Sequence, residues 1–184
     1  MNHVVAVGAV LGTVERVSRN GVPYTLATLS YRAGGRVARL PLVAFGRPAR
    51  YLAEARGKTA LLGGYLQRYA EGGGEEWRHQ IVVGEVRPLA LPVLREGDRA
   101  FAEGYARATV YGKVVLPPQP LREGLEVLRL SVPYPLGERK GETLLSLLYS
   151  GAEPLAVEVG EWIFAEGGLI GGKRDPDRVH LVVN

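Results

Sequence analysis

Apolar and polar positions alternate with a period of two along most of this chain, and helical spacing surfaces only once. Residues 4–10 are a β-branched run that residues 12–17 continue, which predicts a first strand. Arg19-Asn20-Gly21 predicts a hairpin turn, because Asn-Gly supplies the positive φ angles a tight turn needs. Residues 22–31 alternate as a second strand, Gly34-Gly35 makes the next turn, and residues 36–45 form a third strand. Pro48 then opens a short stretch, residues 49–56, with Tyr51, Leu52 and Ala55 at helical spacing, and Gly57 stops it. Residues 59–69 read as a fourth strand, Gly72-Gly73-Gly74 as a loop and residues 77–86 as a fifth strand.

Three strands, a short helix and two strands is the order of the OB-fold, a partly open five-stranded barrel. The second half repeats that order in residues 105–116, 125–132, 142–150, 162–170 and 178–183. Between its third and fourth strands, residues 152–159 are too short and Pro-interrupted for more than one helical turn. The clearest sign of duplication is a strand signature of Gly, six mostly apolar residues, Gly, one residue, Leu. It runs from Gly57 to Leu66 and again from Gly160 to Leu169. The expected architecture is all-β: two tandem OB-fold barrels, each with a short or vestigial helix between strands three and four. Domain boundaries fall at residues 1–90 and 98–184, with Pro88 and Pro92 punctuating the connector.

Composition narrows the chemistry. The 184 residues contain no Cys, which excludes disulfides, thiolate metal sites and Cys nucleophiles. His3, His79 and His180 are scattered without ligand spacing, so no metal and no cofactor is expected. No Ser/His/Asp cluster, Gly-rich phosphate loop or paired carboxylate motif points to an enzyme, and no catalytic residue is assigned. Asp175-Pro176-Asp177 reads as a hairpin turn and Glu75-Glu76 as loop charge. No apolar run approaches the ~18 residues of a membrane span, and the N-terminal residues resemble a first strand more than a signal peptide. A cytoplasmic, nucleoid-associated protein with no membrane partner is the expectation. Charge is uneven: residues 1–97 hold 13 Lys/Arg against 7 Asp/Glu, a net of +6, while residues 98–184 hold 10 against 12, a net of −2. An excess confined to one half suits a half that meets a polyanion, or a basic surface kept for solubility.

The first half resembles the bacterial single-stranded DNA-binding protein family. Asn2-His3-Val4-Val5-Ala6-Val7-Gly8 is similar to that family's opening Asn-x-Val-x-Leu-x-Gly. Asn20-Gly21 and Thr25-Leu26-Ala27-Thr28 follow like its turn and second strand. Val43-Ala44-Phe45-Gly46-Arg47 resembles its hydrophobic-Phe-Gly-Lys segment. Gly57-Lys58 through Gly64-x-Leu66 resembles its fourth strand, with Lys and Gly exchanged. The likeness covers residues 2–87; the second half resembles the same fold more faintly. It implies a tandem member that coats single-stranded DNA, with RNA left open, in replication, recombination or repair, working as a homodimer that supplies four OB-folds. Three departures stand beside it. Arg39 occupies the position of the family's strand-three Trp, and the loop between strands two and three is short. The chain also stops at His180-Leu181-Val182-Val183-Asn184 with no acidic tail, so no tail-mediated recruitment of repair enzymes is expected.

Non-specific single-strand binding needs cations along the backbone path and ring faces on which bases stack. Arg39 and Phe45 lie six apart on strand three and share a face, leaving Leu40, Leu42 and Ala44 for the core. Arg16 and Arg19 flank the first turn, Arg32 and Arg36 the second, and Arg47 follows Phe45. Tyr65 and Tyr69 share a face of strand four with Arg68 opposed, and Trp77 and Arg78 follow the glycine loop. These twelve residues are the candidate DNA-binding set. Each keeps a structural alternative: Phe45 as core or interface, Tyr65 and Tyr69 as seam or dimer contact, Trp77 as a buried anchor. Trp162 and Phe164 bracket Ile163 and read as core or interface, since few cations accompany them. The competing reading of the whole chain is an OB-fold protein-interaction module, a primosome-type accessory or scaffold with little DNA binding.

Overall fold

The computed structural model describes residues 1–69, 78–171 and 178–183, with Tyr69 described in its backbone alone. The Gly72-Gly73-Gly74 loop, Glu75-Glu76, Trp77 and the Asp175-Pro176-Asp177 turn lie outside the described residues. The elements are β1 (Asn2–Val17), β2 (Pro23–Ala33), β3 (Arg36–Phe45), α1 (Arg47–Glu54), β4 (Thr59–Tyr69) and β5 (Arg78–Pro88), then β6 (Leu94–Glu96) and β7 (Arg99–Glu103), then β8 (Tyr105–Arg122), β9 (Leu125–Leu136), β10 (Arg139–Tyr149), β11 (Trp162–Gly171) and β12 (Val179–Val183). The chain divides into two compact units, one of Val4–Tyr65 with Gln80–Ala106, the other of Met1–His3, Leu66–His79 and Arg107–Asn184.

The first unit contains a closed barrel. Its strands neighbour one another in the ring β1-β4-β5-β3-β2, and β2 returns to β1. β1 runs antiparallel to β2 and β4, whereas β3 and β5 are parallel, which is the OB-fold circuit. Alternation decides the two faces: Leu29, Leu40, Leu42, Leu62 and Ile81 point inward and are fully buried. Each contributes about 1.5–3 kcal/mol of burial. The helix α1 places Ala49 and Leu52 in the same core, and the buried Thr25 hydroxyl donates to the Ala49 carbonyl at 2.8 Å. Burial pushes the Tyr31 hydroxyl up to about 12, as desolvation disfavours the phenolate.

The second unit repeats the circuit as β8-β11-β12-β10-β9, with β11 also pairing β8 and with β10 and β12 parallel. Val110, Val114, Leu128, Leu130, Leu145, Leu169 and Leu181 fill it. Between β10 and β11 no helix forms, not even the vestigial turn expected there, because Pro154 and the flanking Gly151 and Gly160 interrupt it. That span is tied down by backbone instead: the Leu155 amide donates to the Glu126 carboxylate at 3.0 Å, and the Gly160 amide to the Val114 carbonyl at 2.9 Å.

Two short segments from the first half of the chain, Met1–His3 and Leu66–His79, belong to this second unit. The Tyr111 amide donates to the Met1 carbonyl at 2.7 Å. The Asn2 side-chain amide donates to the Leu66 carbonyl at 2.8 Å while its carbonyl oxygen accepts the Leu66 amide at 2.9 Å, a closed two-bond pairing. Buried His79 accepts the Val179 amide on Nδ1 at 3.2 Å, so Nε2 carries the proton and donates to the Leu144 carbonyl at 2.7 Å.

The connector is more ordered than Pro88 and Pro92 suggest. It contains the β6–β7 hairpin, and β7 runs parallel to β2 at Tyr31 and Arg32, just past the last β1 pairing at Ser30. Phe101 is fully buried and the Ser30 hydroxyl donates to the Ala100 carbonyl at 2.7 Å. A two-residue turn at Gly97-Asp98 was not legible as a hairpin because the strands on either side are only three and five residues long.

Candidate nucleic-acid interface

Two turns set the register of the candidate face. A turn closed by the Gly21 amide donating to the Ser18 carbonyl at 3.0 Å, with Gly21 but not Asn20 at positive φ, returns β1 onto β2, so Arg16 lies opposite Tyr24. Gly34-Gly35, both at positive φ, returns β2 onto β3, so Tyr24 lies opposite Phe45 and Ser30 opposite Arg39. Residues directly opposite one another share a sheet face. Arg16, Tyr24 and Phe45 therefore form one row across β1, β2 and β3.

The rings of Tyr24 and Phe45 have centroids 5.9 Å apart and are tilted by 37°. Phe45 is 44% exposed, so it is not a core residue in this chain, and Tyr24 is half-buried. Arg39 is on the same face of β3, exposed, and Leu40, Leu42 and Ala44 occupy the core side as the alternation requires. Exposed Arg19 sits in the turn beyond Arg16, exposed Arg36 opens β3 opposite Ala33 at the far end, and exposed Arg47 lies two residues after Phe45. Gly46 makes that last step at φ 65°, swinging the chain from β3 into α1. Tyr24 was missed in the sequence, although counting back from Gly34-Gly35 already sets it opposite Phe45.

Arg32 is placed differently. Its guanidinium is bonded to Glu103 on β7, lies 3.8 Å from the Glu96 carboxylate and stands 4.8 Å over the Phe101 ring. The hydrogen bond to Glu103 raises its pKa above the ordinary arginine value. Its charge is matched within the unit by the β6–β7 hairpin, an element the sequence reading did not see.

Among the described residues, none of the remaining candidates lies on β1, β2 or β3. Tyr65 is half-buried on β4 of the first unit. Arg68 and Arg78 are half-buried and belong to the second unit. The Tyr69 side chain and Trp77 lie outside the described residues.

The equivalent face of the second barrel is chemically unlike this one. Val127, Arg129, Ser131 and Pro133 of β9 lie opposite Leu148, Ser146, Leu144 and Glu142 of β10, a set with one arginine and no aromatic ring. Its most exposed rings lie elsewhere, on the outer side of β11. There Trp162 is 49% and Phe164 69% exposed, so neither is a core residue of this chain.

These two circuits belong to a known fold. The chain has the fold of a bacterial single-stranded DNA-binding protein. It superposes on the wild-type single-stranded DNA-binding protein from Thermus aquaticus with a TM-score of 0.67 at 18% identity, over 100% of this chain and 90% of that one. A deletion mutant of the Thermus aquaticus protein gives a TM-score of 0.65 at 16% identity, over 100% and 91%. No family model and no curated protein matches the sequence. Among the described residues no group of His, Asp or Glu is placed to hold a metal ion, and no helix is long and apolar enough to cross a membrane.

Proposed function

We propose that this protein binds single-stranded DNA without sequence preference, through the outer β1–β2–β3 face of its first barrel. The observation that carries the reading is the Arg16–Tyr24–Phe45 row with Arg39 on the same face. Two adjoining rings offer flat surfaces to successive bases, and the arginines around them offer charge to the phosphates between. The OB-fold binds oligonucleotides on its strand 2–3 face and neighbouring loops, where this row lies. The Thermus aquaticus neighbour is itself described as a single-stranded DNA-binding protein.

In this reading the protein is a binding protein and not an enzyme, and it serves replication, recombination or repair in the cytoplasm by covering exposed strands. The chain acts as a homodimer. The first barrel carries the nucleic-acid contacts, and the second serves structure and assembly. Arg16, Arg19, Arg36, Arg39 and Arg47 supply the cations, while Arg32, matched by Glu103 and Glu96, orders the β6–β7 hairpin.

The test is titration of a fluorescent dT oligomer with the full chain at rising salt. Binding at low salt that weakens steeply as salt rises supports the reading. No binding at low salt removes it and leaves the protein-interaction module. A scaffold of that kind would keep its partner after Arg16, Arg36 and Arg39 are replaced together.

A further inference from the structure

We infer that the β6–β7 hairpin is a stop for the bound strand. It closes the outer face of the first barrel at the Arg32 end and so limits how many nucleotides that barrel covers. The inference rests on the DNA-binding reading above and gives its surface a boundary.

Strand register places the hairpin on the face in question. Outward positions of β2 run Tyr24, Leu26, Thr28, Ser30 and Arg32, opposite Phe45, Val43, Pro41, Arg39 and Val37 of β3. Pairing of β2 with β1 ends at Ser30, and β7 then takes over that edge in parallel, setting Glu103 level with Arg32. Within the hairpin Glu96 lies opposite Arg99 and Leu94 opposite Phe101. Arg99, Phe101 and Glu103 alternate in step with Arg32 and continue the same face. The Ser30 hydroxyl, donating to the Ala100 carbonyl at 2.7 Å, and the fully buried Phe101 tie the hairpin to β2. The boundary falls about 27 Å from Tyr24 along β2, eight residues at about 3.4 Å each.

Charge along this face is one-sided. No outward residue of β2 from Tyr24 to Ser30, or of β3 from Arg39 to Phe45, is acidic. The hairpin then brings two carboxylates together, Glu96 and Glu103, whose side chains remain 71% and 59% exposed. They occupy the one guanidinium that could lead a strand onward. Glu103 accepts from Nε of Arg32 at 2.8 Å and from Nη2, Glu96 lies 3.8 Å from Nη1, and the Phe101 ring takes a face of the guanidinium at 4.8 Å. Bonds between ionised partners of this kind are the strong ones. Arg32, Arg95 and Arg99 are balanced by Glu96, Asp98 and Glu103, so the arginine excess that draws a phosphate chain ends here. Carboxylate and phosphate oxygens are all acceptors, so neither bonds the other. A strand lying over the arginine-rich end therefore gains nothing by extending past Ser30 and meets exposed negative charge if it does.

The experiment titrates poly(dT) with the full chain at low salt and reads the nucleotides occluded per chain, with the salt dependence of dT affinity measured on the same samples. E96Q/E103Q is expected to occlude about one to two nucleotides more than wild type. It is also expected to steepen the slope of log affinity against log salt by about 0.7, as one further phosphate reaches Arg32. R32Q/E96Q/E103Q is expected to lose that added slope. D98N removes an equal charge from the hairpin turn and is expected to leave the site size unchanged. E96Q leaves the Glu103 bonds in place; if E96Q/E103Q lowers the urea midpoint, E96Q carries the test, with a change of the same sign. Unchanged site size and slope overturn the stop. A gain in affinity at unchanged site size, shared by D98N, is a general charge effect and also overturns it. A smaller site in E96Q/E103Q makes the hairpin part of the platform and overturns it as well. A wild type that binds no dT removes the DNA-binding reading and the stop together, whereas wild-type binding with an unmoved boundary removes the stop alone.

Discussion

Gly64 and Gly167 occupy the same place in the two barrels, each at the point where the fourth strand of its circuit crosses closest to the fifth. A Cβ on Gly64 would collide with the carbonyl oxygen of Val82, and a Cβ on Gly167 with that of Val182. The repeated Gly-x6-Gly-x-Leu signature is therefore a packing requirement met twice: backbone meets backbone, and no side chain fits between. Its first glycine answers a second requirement, since Gly57 and Gly160 both lie at positive φ, at 72° and 95°.

Gly64→Ala and Gly167→Ala are accordingly expected to destabilise their barrels by about 1–3 kcal/mol or more, because the obstacle is backbone and cannot rotate away. Urea midpoints measure this. Gly63→Ala is the control: its Cβ would meet only the Glu85 side chain, at 3.5 Å, an ordinary contact. Equal losses at Gly63 and Gly64 would refute the packing account.

Phe45→Ala is expected to reduce dT affinity by on the order of 1–3 kcal/mol while leaving the melting temperature unchanged, since the ring is 44% exposed. Tyr24→Ala should act on the same bases. In a double-mutant cycle the two losses should add to less than their sum, because one ring positions the other at 5.9 Å. Full additivity would show two independent sites.

Salt dependence separates the arginines. Arg16→Gln and Arg39→Gln are each expected to lower the slope of log affinity against log salt by about 0.7, the loss of one phosphate contact on a single strand. Arg32→Gln should leave the slope alone, since Glu103 and Glu96 already hold that guanidinium. A slope change at Arg32 equal to that at Arg16 would mean the hairpin releases it on binding.

His180 on β12 gives a pH signature. Burial, then the nearby Arg178 and Arg129 charges, hold its pKa below the ordinary 6.5. As pH falls below 6.5 the unfolded chain takes up a proton that the folded chain resists, so stability declines from there down to the folded value and then levels. His180→Gln is expected to flatten that decline between wild-type and variant urea midpoints measured from pH 7.5 to 5, on the order of the ordinary histidine range. An unchanged decline would assign it to another group.

Local pattern made much of this legible. Period-two alternation in residues 36–45 separated Leu40, Leu42 and Ala44 from Arg39 and Phe45, and the structure keeps that division. Tight turns at Asn20-Gly21 and Gly34-Gly35 set the strand registers, so the Arg16–Tyr24–Phe45 row was countable, although Tyr24 was passed over. Arg32 was not legible: its partners are Glu96 and Glu103, more than sixty residues away, on a hairpin too short to announce itself. Trp162 and Phe164 read as core or interface, and their exposure removes the first of these. Alternation alone does not say which face of a strand is covered.

By itself the sequence determined the strands, their turns, the duplication and the shared face of Arg39 and Phe45, because β alternation and turn geometry act over a few neighbouring positions. Tertiary structure alone decided which charges are already matched, which rings stay exposed, and which segments of the first half join the second unit. Asn2 pairs with Leu66 across 64 positions of chain, and His79 bonds to Leu144 and Val179 across 65 and 100. Such contacts carry no local period, so nothing in the order of residues marks them before the chain is folded.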